Sequence, residues 1–431
     1  MDKDPSSRLT PIISRVLQDG TMIELIYDAN KGETLLAHCP PSGTPTLESQ
    51  INLTGNECLA PYSPLNNLLT SGCVLLPSAI GEYSSKASLL AEIKAFIHRY
   101  VDLSPLFEDV AAHYVLLTWV HDAFNELAYL RFRGEFGTGK TRALLVIGSL
   151  SYKAFFASGA STVSPIFHIL HEFGGTLVLD EADLRFSDAT ADLTKILNNG
   201  NMKGLPVLRT MSNRHRELNP TAFKVYGPKL IAMRERFADE ALESRFLTEE
   251  TGHRTLRTDI SIHLPDAVKG EAQELRNKLL AWRFAERSNI GIDPSRAVDG
   301  ISPRGNQTAL ALLSLIDDTT IRNEVGSHLA IGEARAAAKR NALPHIAMVG
   351  VLGRMFQTAL SPNIPLADIT RCYNEDTALR GEHPLTPKAV GCLIRNRLGL
   401  ETTKTRGVYV LEQSQKSKIR DLVTRFGLSL N

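Results

Sequence analysis

The chain has 431 residues, and at about 100–200 residues per domain it holds two to four domains with a substantial core. With 43% hydrophobic and 22% charged residues it is composed like an ordinary globular protein, which sets aside wholesale disorder. Its most apolar stretches, residues 110–120 and 144–150, are too short or too polar to cross a bilayer. The formal net charge of +1 leaves nucleic-acid binding open, because basic patches on working faces can coexist with a neutral whole.

The first ten residues, MDKDPSSRLT, lack the basic-then-apolar order of a secretory signal, so a cytoplasmic location is expected. Cys39, Cys58, Cys73, Cys372 and Cys392 are odd in number, widely spaced and without a C-x-x-C pair, which argues against a disulfide framework or a zinc ribbon. His38 beside Cys39 is too little for a metal site. Over residues 1–84, turn signals such as Pro40-Pro41-Ser42-Gly43 separate short β-prone runs, the clearest being residues 22–27, and a small N-terminal α+β domain is expected. Two helices should follow. Residues 87–101 place Leu90, Ile93, Ile97 and Val101 three and four apart, and residues 107–124 do the same with Val110, Tyr114, Leu117 and Val120.

Strands and helices then alternate. Residues 127–132, 176–179 and 229–233 read as strands and residues 142–152 and 191–198 as helices, a rhythm that predicts an α/β fold with a mostly parallel sheet covered on both faces. This core spans residues 85–263 with its leading helices. Residues 264–342 read as a helical lid, with helices at 275–284 and 308–339 around a Gly-, Pro- and Ser-rich loop at 289–305. Residues 343–431 read as an independent small domain.

The run Gly134-Glu135-Phe136-Gly137-Thr138-Gly139-Lys140-Thr141 meets the P-loop pattern G-x-x-x-x-G-K-[ST] at every fixed position, and it stands between a predicted strand and a predicted helix. The residue types follow from the task. Glycines turn backbone N–H groups inward around phosphates, the helix N-terminus adds its dipole, Lys140 reaches the β- and γ-phosphates of ATP, and the Thr141 hydroxyl joins the Mg²⁺ shell. Forty positions beyond Lys140, a buried-strand pattern ends in Asp180-Glu181, at the strand end where open α/β sheets bind ligands. Asp180 would hold Mg²⁺ through water, and Glu181 would orient and polarise the attacking water. Asp183 reads as a loop or cap residue.

After these motifs come Gly227-Pro228-Lys229-Leu230-Ile231-Ala232-Met233 and Ser244-Arg245-Phe246, and the order of the four segments resembles an AAA+ ATPase. The resemblance implies a polar sensor on the strand ending at Met233, for which Arg234 is the candidate. It also implies an arginine finger at Arg245 that completes a neighbouring subunit's site; the plainer alternative for Arg245 is a surface ion pair with Glu243 or Glu249. A second sensor arginine is expected where the lid begins, at Arg304 in Ser302-Pro303-Arg304, with Arg276 as runner-up. Within the AAA+ class the chain is similar to MCM-like and superfamily 3 helicases of mobile elements, because a long segment precedes the sensor strand. It reads as a hairpin, residues 205–210 and 222–226 flanking the tip Ser212-Asn213-Arg214-His215-Arg216-Glu217. In such helicases a hairpin here grips DNA, so Arg214, His215 and Arg216, with Lys224 beyond, become candidate phosphate ligands; a solvated charged loop is the alternative. The interval from Lys140 to Asp180 is too short for the extra hairpin that MCM helicases insert there.

In the last segment, residues 366–374 and 387–398 read as helices and 401–411 as two strands, the order of a winged helix. Thr386 would cap the second helix with Pro387 at its first position. Lys388, Arg395 and Arg397 would lie on that helix and Lys404 and Arg406 on the wing, facing either DNA or protein. Together these readings predict a homo-oligomeric, hexameric AAA+ ATPase that uses ATP and Mg²⁺ to translocate on or unwind single-stranded or forked DNA. No membrane is involved, and priming or strand protection falls to a separate primase or single-strand-binding protein. The rival is an ATP-operated switch that assembles on DNA without unwinding. A protein-remodelling AAA+ machine is less favoured, for want of an aromatic pore loop.

Overall fold

The structure, a computed structural model, describes residues 8–53, 57–158, 161–180, 188–212, 218–237, 239–358, 361, 363–378 and 383–428. The chain forms two compact units, Met1–Leu329 and Ala330–Asn431.

The first unit opens with seven strands, β1 (Arg8–Ile12), β2 (Ser14–Val16), β3 (Met22–Asp28), β4 (Glu33–Cys39), β5 (Thr46–Glu48), β6 (Ile51–Asn52) and β7 (Glu57–Pro61). They make an antiparallel sheet in the order β2-β3-β4-β5 and a second sheet in the order β1-β7-β6. Strand β3 is buried from Met22 to Ile26, one face joining the cluster built by the central helices and the other a cluster beneath the core sheet. That two-sided burial explains its nearly unbroken apolar run. The first 84 residues therefore share their hydrophobic core with the residues that follow.

A short helix, α1 (Asn67–Thr70), precedes α2 (Lys86–Tyr100) and α3 (Pro105–Val120). Helix α3 starts two residues before its apolar period does, because the Ser104 hydroxyl caps Phe107 N and Pro105 suits the first turn. Next come β8 (Tyr129–Arg133), α4 (Lys140–Leu150), β9 (Phe155–Ser158), α5 (Val163–Phe173), β10 (Leu177–Asp180), α6 (Asp188–Asn199), the hairpin β11 (Val207–Ser212) and β12 (Leu218–Phe223), then β13 (Lys229–Met233), α7 (Glu240–Glu243) and β14 (Phe246–Glu250). The core sheet runs β14-β8-β13-β10-β9 with every pair parallel. Side chains alternate across it: Leu130, Phe132, Leu230, Ala232 and Val178 pack with α2, α3 and α4, while Tyr129, Ile231, Met233, Leu177 and Leu179 pack with α5 and α6.

Strand β9 and helix α5 occupy the interval between Lys140 and Asp180. The hairpin's second strand begins at Leu218, four residues ahead of the expected run, and passes through Pro220, which faces Thr210. A two-stranded ribbon has free edges and tolerates a proline that a central strand would not. The segment expected to be a helical lid contains α8 (Ala267–Glu286), α9 (Pro303–Leu313) and α10 (Thr319–Asn341), the last running past Leu329 into the second unit. The expected single helix over 308–339 is broken after Leu313, and Asp318 recaps the chain by accepting from Thr320 N at 2.7 Å.

The second unit contains α11 (Pro344–Thr358), β15 (Asn363–Pro365), α12 (Leu366–Ala378), α13 (Pro387–Asn396), β16 (Thr402–Thr405), β17 (Val408–Glu412) and α14 (Lys416–Phe426). Its sheet is antiparallel in the order β15-β17-β16, packed on Ile369, Tyr373, Val390 and Ile394. The Thr386 hydroxyl caps α13 by accepting from Ala389 N, with Pro387 in the first turn.

Candidate nucleotide site

Strand β8 is buried throughout and releases the chain at Gly134, where β14 ends beside it. Thr251 N and its hydroxyl both donate to Arg133 O, at 2.7 and 3.1 Å, which presses Thr251 against the loop. A Cβ on Gly134 would stand 2.4 Å from both Thr251 O and Thr251 Oγ1, so the first fixed glycine is required by this contact. The Thr138 and Thr251 hydroxyls lie 2.7 Å apart and tie the top of the loop to the same strand. Gly137 and Gly139 hold φ of 77° and 87°, a region costly for other residues, and Gly139 caps α4 without a side chain. The first N–H groups of α4 are thus left for an anion.

Lys140 Nζ donates to Glu135 O at 2.6 Å, folded back over the loop it serves. Thr141 Oγ1 donates to Asp180 Oδ2 at 2.8 Å, which joins the P-loop helix to the end of β10. A cavity of about 490 Å³ opens here, lined by Phe136 to Arg142, Leu145, Asp180, Met233, Arg234 and Leu264. Hence the structure brings Gly137, Thr138, Gly139, Lys140, Thr141, Asp180 and Arg234 around one cavity. Glu181, like Arg214, His215 and Arg216, lies outside the described residues. The hydroxyl and carboxylate oxygens of Thr141 and Asp180 are hard donors of the kind Mg²⁺ takes, and the glycine cradle fits a polyphosphate, so the residues present suit both groups.

Arg245 and Arg304 lie elsewhere. Arg245 O accepts from Tyr129 N at 2.8 Å, at the start of β8, whereas the P-loop leaves from its end; four residues at about 3.3 Å each separate the two by about 13 Å. Arg304 Nη2 donates to Ala241 O at 3.1 Å, the same carbonyl that accepts from Arg245 Nη1 at 2.6 Å. Arg304, expected as a second sensor arginine, therefore stands away from this chain's own P-loop: the start of α9 docks beside α7, at the other end of the sheet. Arg276, the runner-up, sits at the opposite end of α4 from the P-loop. It is buried, donates to Ser149 O, Leu76 O and Gln273 Oε1, and serves packing.

Nor does Arg245 pair with Glu243 or Glu249. Glu243 takes a bidentate grip from Arg131, and Glu249 accepts from Ser104 N at 2.8 Å and Ser104 Oγ at 3.0 Å. Burial, and then the charge of Arg304, draw the Arg245 pKa down from its ordinary value.

Sequence reasoning passed over Thr251 and Arg142, whose guanidinium donates to Ser261 O and Ile262 O and ties α4 to the segment entering the lid. Both contacts span more than a hundred residues and leave no local signal. On the hairpin, Arg209 pairs with Asp192 at 3.5 Å and stacks over the Phe167 ring at 4.6 Å. Lys224 is exposed just beyond β12.

In the second unit, Lys388 stands exposed in the first turn of α13. Arg395 Nη1 donates to Thr402 Oγ1 at 2.8 Å, bracing that helix against β16, and Arg397 ends the helix. Lys404 lies opposite Tyr409, its Nζ 5.8 Å from the ring centre, and Arg406 turns the hairpin at φ 49°. A bulky residue in that conformation is uncommon and places the guanidinium stem at the tip.

No protein-family model matches the sequence, and no curated protein matches it. Among solved structures the chain is similar to an active Cch helicase of SCCmec type IV, at 13% identity over 96% of this chain and 81% of that one, with a TM-score of 0.43. It is also similar to the C-terminal region of NrS-1, at 11% identity over 90% and 96% with a TM-score of 0.38, and to a full-length MCM homolog from Methanopyrus kandleri, at 12% identity over 69% and 68% with a TM-score of 0.35.

Proposed function

We propose that the chain hydrolyses ATP at residues 134–141 inside a closed ring of copies, six in number, and uses the cycle to translocate on or unwind DNA for a mobile element. The observation that carries this reading is the separation of two half-sites. The phosphate loop with Thr141 and Asp180 stands at one end of the core sheet, and two arginines without an ion-pair partner among the described residues stand at the other. A copy placed end to end against the next would bring Arg245 and Arg304 to its neighbour's phosphates.

Thr141 and Asp180 would hold Mg²⁺, which when bound supplies positive charge to the phosphate oxygens. Lys140 would exchange Glu135 O for the β- and γ-phosphates, keeping its charge on the oxygens that gain electron density. Glu181 would orient the attacking water and accept its proton, and Arg234 would report the γ-phosphate from the end of β13. Arg245 of the neighbouring copy would complete the charge balance in the transition state.

For DNA, the hairpin tip with Arg214, His215 and Arg216 is proposed to track the backbone in the ring's channel. The second unit is proposed to be a winged helix, on the helix, strand, helix, helix, hairpin order and the β15-β17-β16 sheet. Lys388, Arg395, Lys404 and Arg406 would be its phosphate contacts.

Two measurements on the full chain test this. Lys140→Ala and Arg245→Ala subunits, each inactive alone, should recover turnover when mixed, and no recovery in subunits shown to co-assemble would overturn the shared site. Arg214→Ala with Arg216→Ala should keep basal turnover, lose stimulation by single-stranded DNA, and flatten the salt dependence of binding by about 1.4 units of slope at ~0.7 per contact. Undiminished stimulation would move the reading to a nucleotide-operated switch.

A further inference from the structure

Arg245 lies across the end of α6, gripped on two edges. Its Nε donates to Asn201 Oδ1 at 3.0 Å, and its Nη1 donates to Asn198 Oδ1 at 2.9 Å and to Ala241 O at 2.6 Å. A guanidinium only donates, so both amides must turn their oxygens toward it. Asn201 is buried and its own backbone carbonyl accepts from Leu127 N at 2.9 Å, which fixes it to the chain entering β8. Asn198 extends its amide nitrogen to Asp239 Oδ2 at 3.4 Å. All three acceptors of Arg245 are neutral, and its Nη2 makes no hydrogen bond among the described residues.

This is an unusual way to hold a partly buried cation. A carboxylate in either asparagine's place would grip as firmly and add Coulomb attraction, yet it would cancel the charge. Resting on the reading of Arg245 as a residue that serves the neighbouring copy, we infer that Asn198 and Asn201 are positioning residues: they aim the guanidinium without neutralising it and leave its open edge for a phosphate. Arg304, on the shared Ala241 carbonyl, adds a second positive charge that outweighs the nearby Asp239 at Arg245.

The test is an isosteric exchange in the full chain, Asn201→Asp and, separately, Asn198→Asp, with ATP and Mg²⁺ as the probe. A purely structural Asn201 would tolerate the change, since the hydrogen bond to Arg245 survives and an ion pair is gained; Asn198→Asp also gives up the donation to Asp239 Oδ2 and sets two carboxylates side by side, so its Tm should fall and its kcat is read beside that fall. For Asn201→Asp the inference expects an unchanged or higher Tm, unchanged ATP affinity, and kcat lowered at least about tenfold, as a part of the ~10³-fold or more that such an arginine contributes. Turnover should return on mixing with Lys140→Ala subunits, which supply an intact Arg245, and should not return on mixing with Arg245→Ala subunits. Wild-type kcat in both Asp variants, with Arg245→Ala inactive and rescued by Lys140→Ala, overturns the asparagine role and leaves the finger reading standing. A loss of kcat that tracks a fall in Tm and is not rescued by mixing also overturns it. Wild-type turnover in Arg245→Ala removes the finger reading and this inference together.

Discussion

Arg283 and Arg245 are both partly or wholly withdrawn from water, and their surroundings are opposite. Arg283, on α8, donates to Glu24 Oε1 at 2.9 Å and to both oxygens of Asp122 at 2.7 and 3.0 Å. Glu24 also accepts from Tyr152 and pairs with Lys153 Nζ at 3.0 Å, so charges from β3, the end of α4 and the lid close on one another. Burial alone would oppose ionisation of Asp122, but the charge and hydrogen bonds of Arg283, with Arg287 beyond, hold its carboxyl well below the usual range. At Arg245 no carboxylate makes an ion pair among the described residues, and the field of Asp239 is outweighed by burial and by Arg304. A compensated buried cation holds parts of one chain together; on the function proposed above, Arg245 is kept for a charge that arrives from outside.

Removing Arg283 should produce the largest change in stability. Arg283→Ala leaves Glu24 to Lys153 and Asp122 to Arg287 alone and should cost up to about 3–5 kcal/mol, read as a fall in the denaturant midpoint. A chemically equal truncation at Arg245 should leave the midpoint nearly unchanged, because only neutral partners lose a donor. Equal losses at the two positions would erase the distinction. Arg304→Ala comes next, and it sharpens the contrast within the pair at the Ala241 carbonyl. Held by one carbonyl among the described residues, Arg304 is less well aimed than Arg245, so kcat should fall by about 10²-fold, less than the ~10³-fold or more expected of Arg245→Ala. Steady-state ATPase of the two variants at saturating ATP checks the order, and a larger loss at Arg304 would reverse their roles.

The strand, glycine loop and helix around residues 134–141 were legible because their signals are local. Strand, glycine loop and helix follow one another within β8 to α4, and the Asp180 strand announces itself by its apolar run. Where Arg245 and Arg304 fall depends on which end of the sheet a loop returns to, and no periodicity encodes that. Ser302-Pro303-Arg304 displays its helix start plainly, and the structure uses it so, with the Ser302 hydroxyl accepting from Gly305 N at 3.0 Å. The motif is silent on α9 docking beside α7. Asn198 and Asn201 carry no motif at all, being 47 and 44 residues from the arginine they hold. The second unit was legible for the same reason as the P-loop: Thr386, Pro387 and the Arg406-Gly407 turn each act on their own neighbours in sequence.

Lys229 is a third cation and the finest test of the contrast, since it has neutral partners, as Arg245 does, and full burial, as Arg283 does. Its Nζ donates to Gly227 O at 2.9 Å, Val225 O at 3.0 Å and Gly200 O at 3.3 Å, and lies 4.8 Å from the Tyr129 ring centre. With no carboxylate in contact among the described residues, burial pushes its pKa down to about 7 from 10.5, outweighing the hold of the carbonyls on the ammonium. The sign follows from proton counting. Below about 7 both folded and unfolded chains carry the proton, and the folded state bears the full cost of a buried charge. Between about 7 and 10.5 the unfolded chain binds a proton that the folded chain has released, so stability should rise with pH, by at most about 1.4 kcal/mol per unit. Lys229→Met should be more stable at pH 7 and should lose that slope between pH 7.5 and 8.5, measured by chemical denaturation at several pH values. A slope that persists in the variant belongs to another group. A flat profile in the wild-type chain would mean that three carbonyls suffice to keep a sealed ammonium charged, and neutral acceptors alone could then no longer mark Arg245 as waiting for an anion.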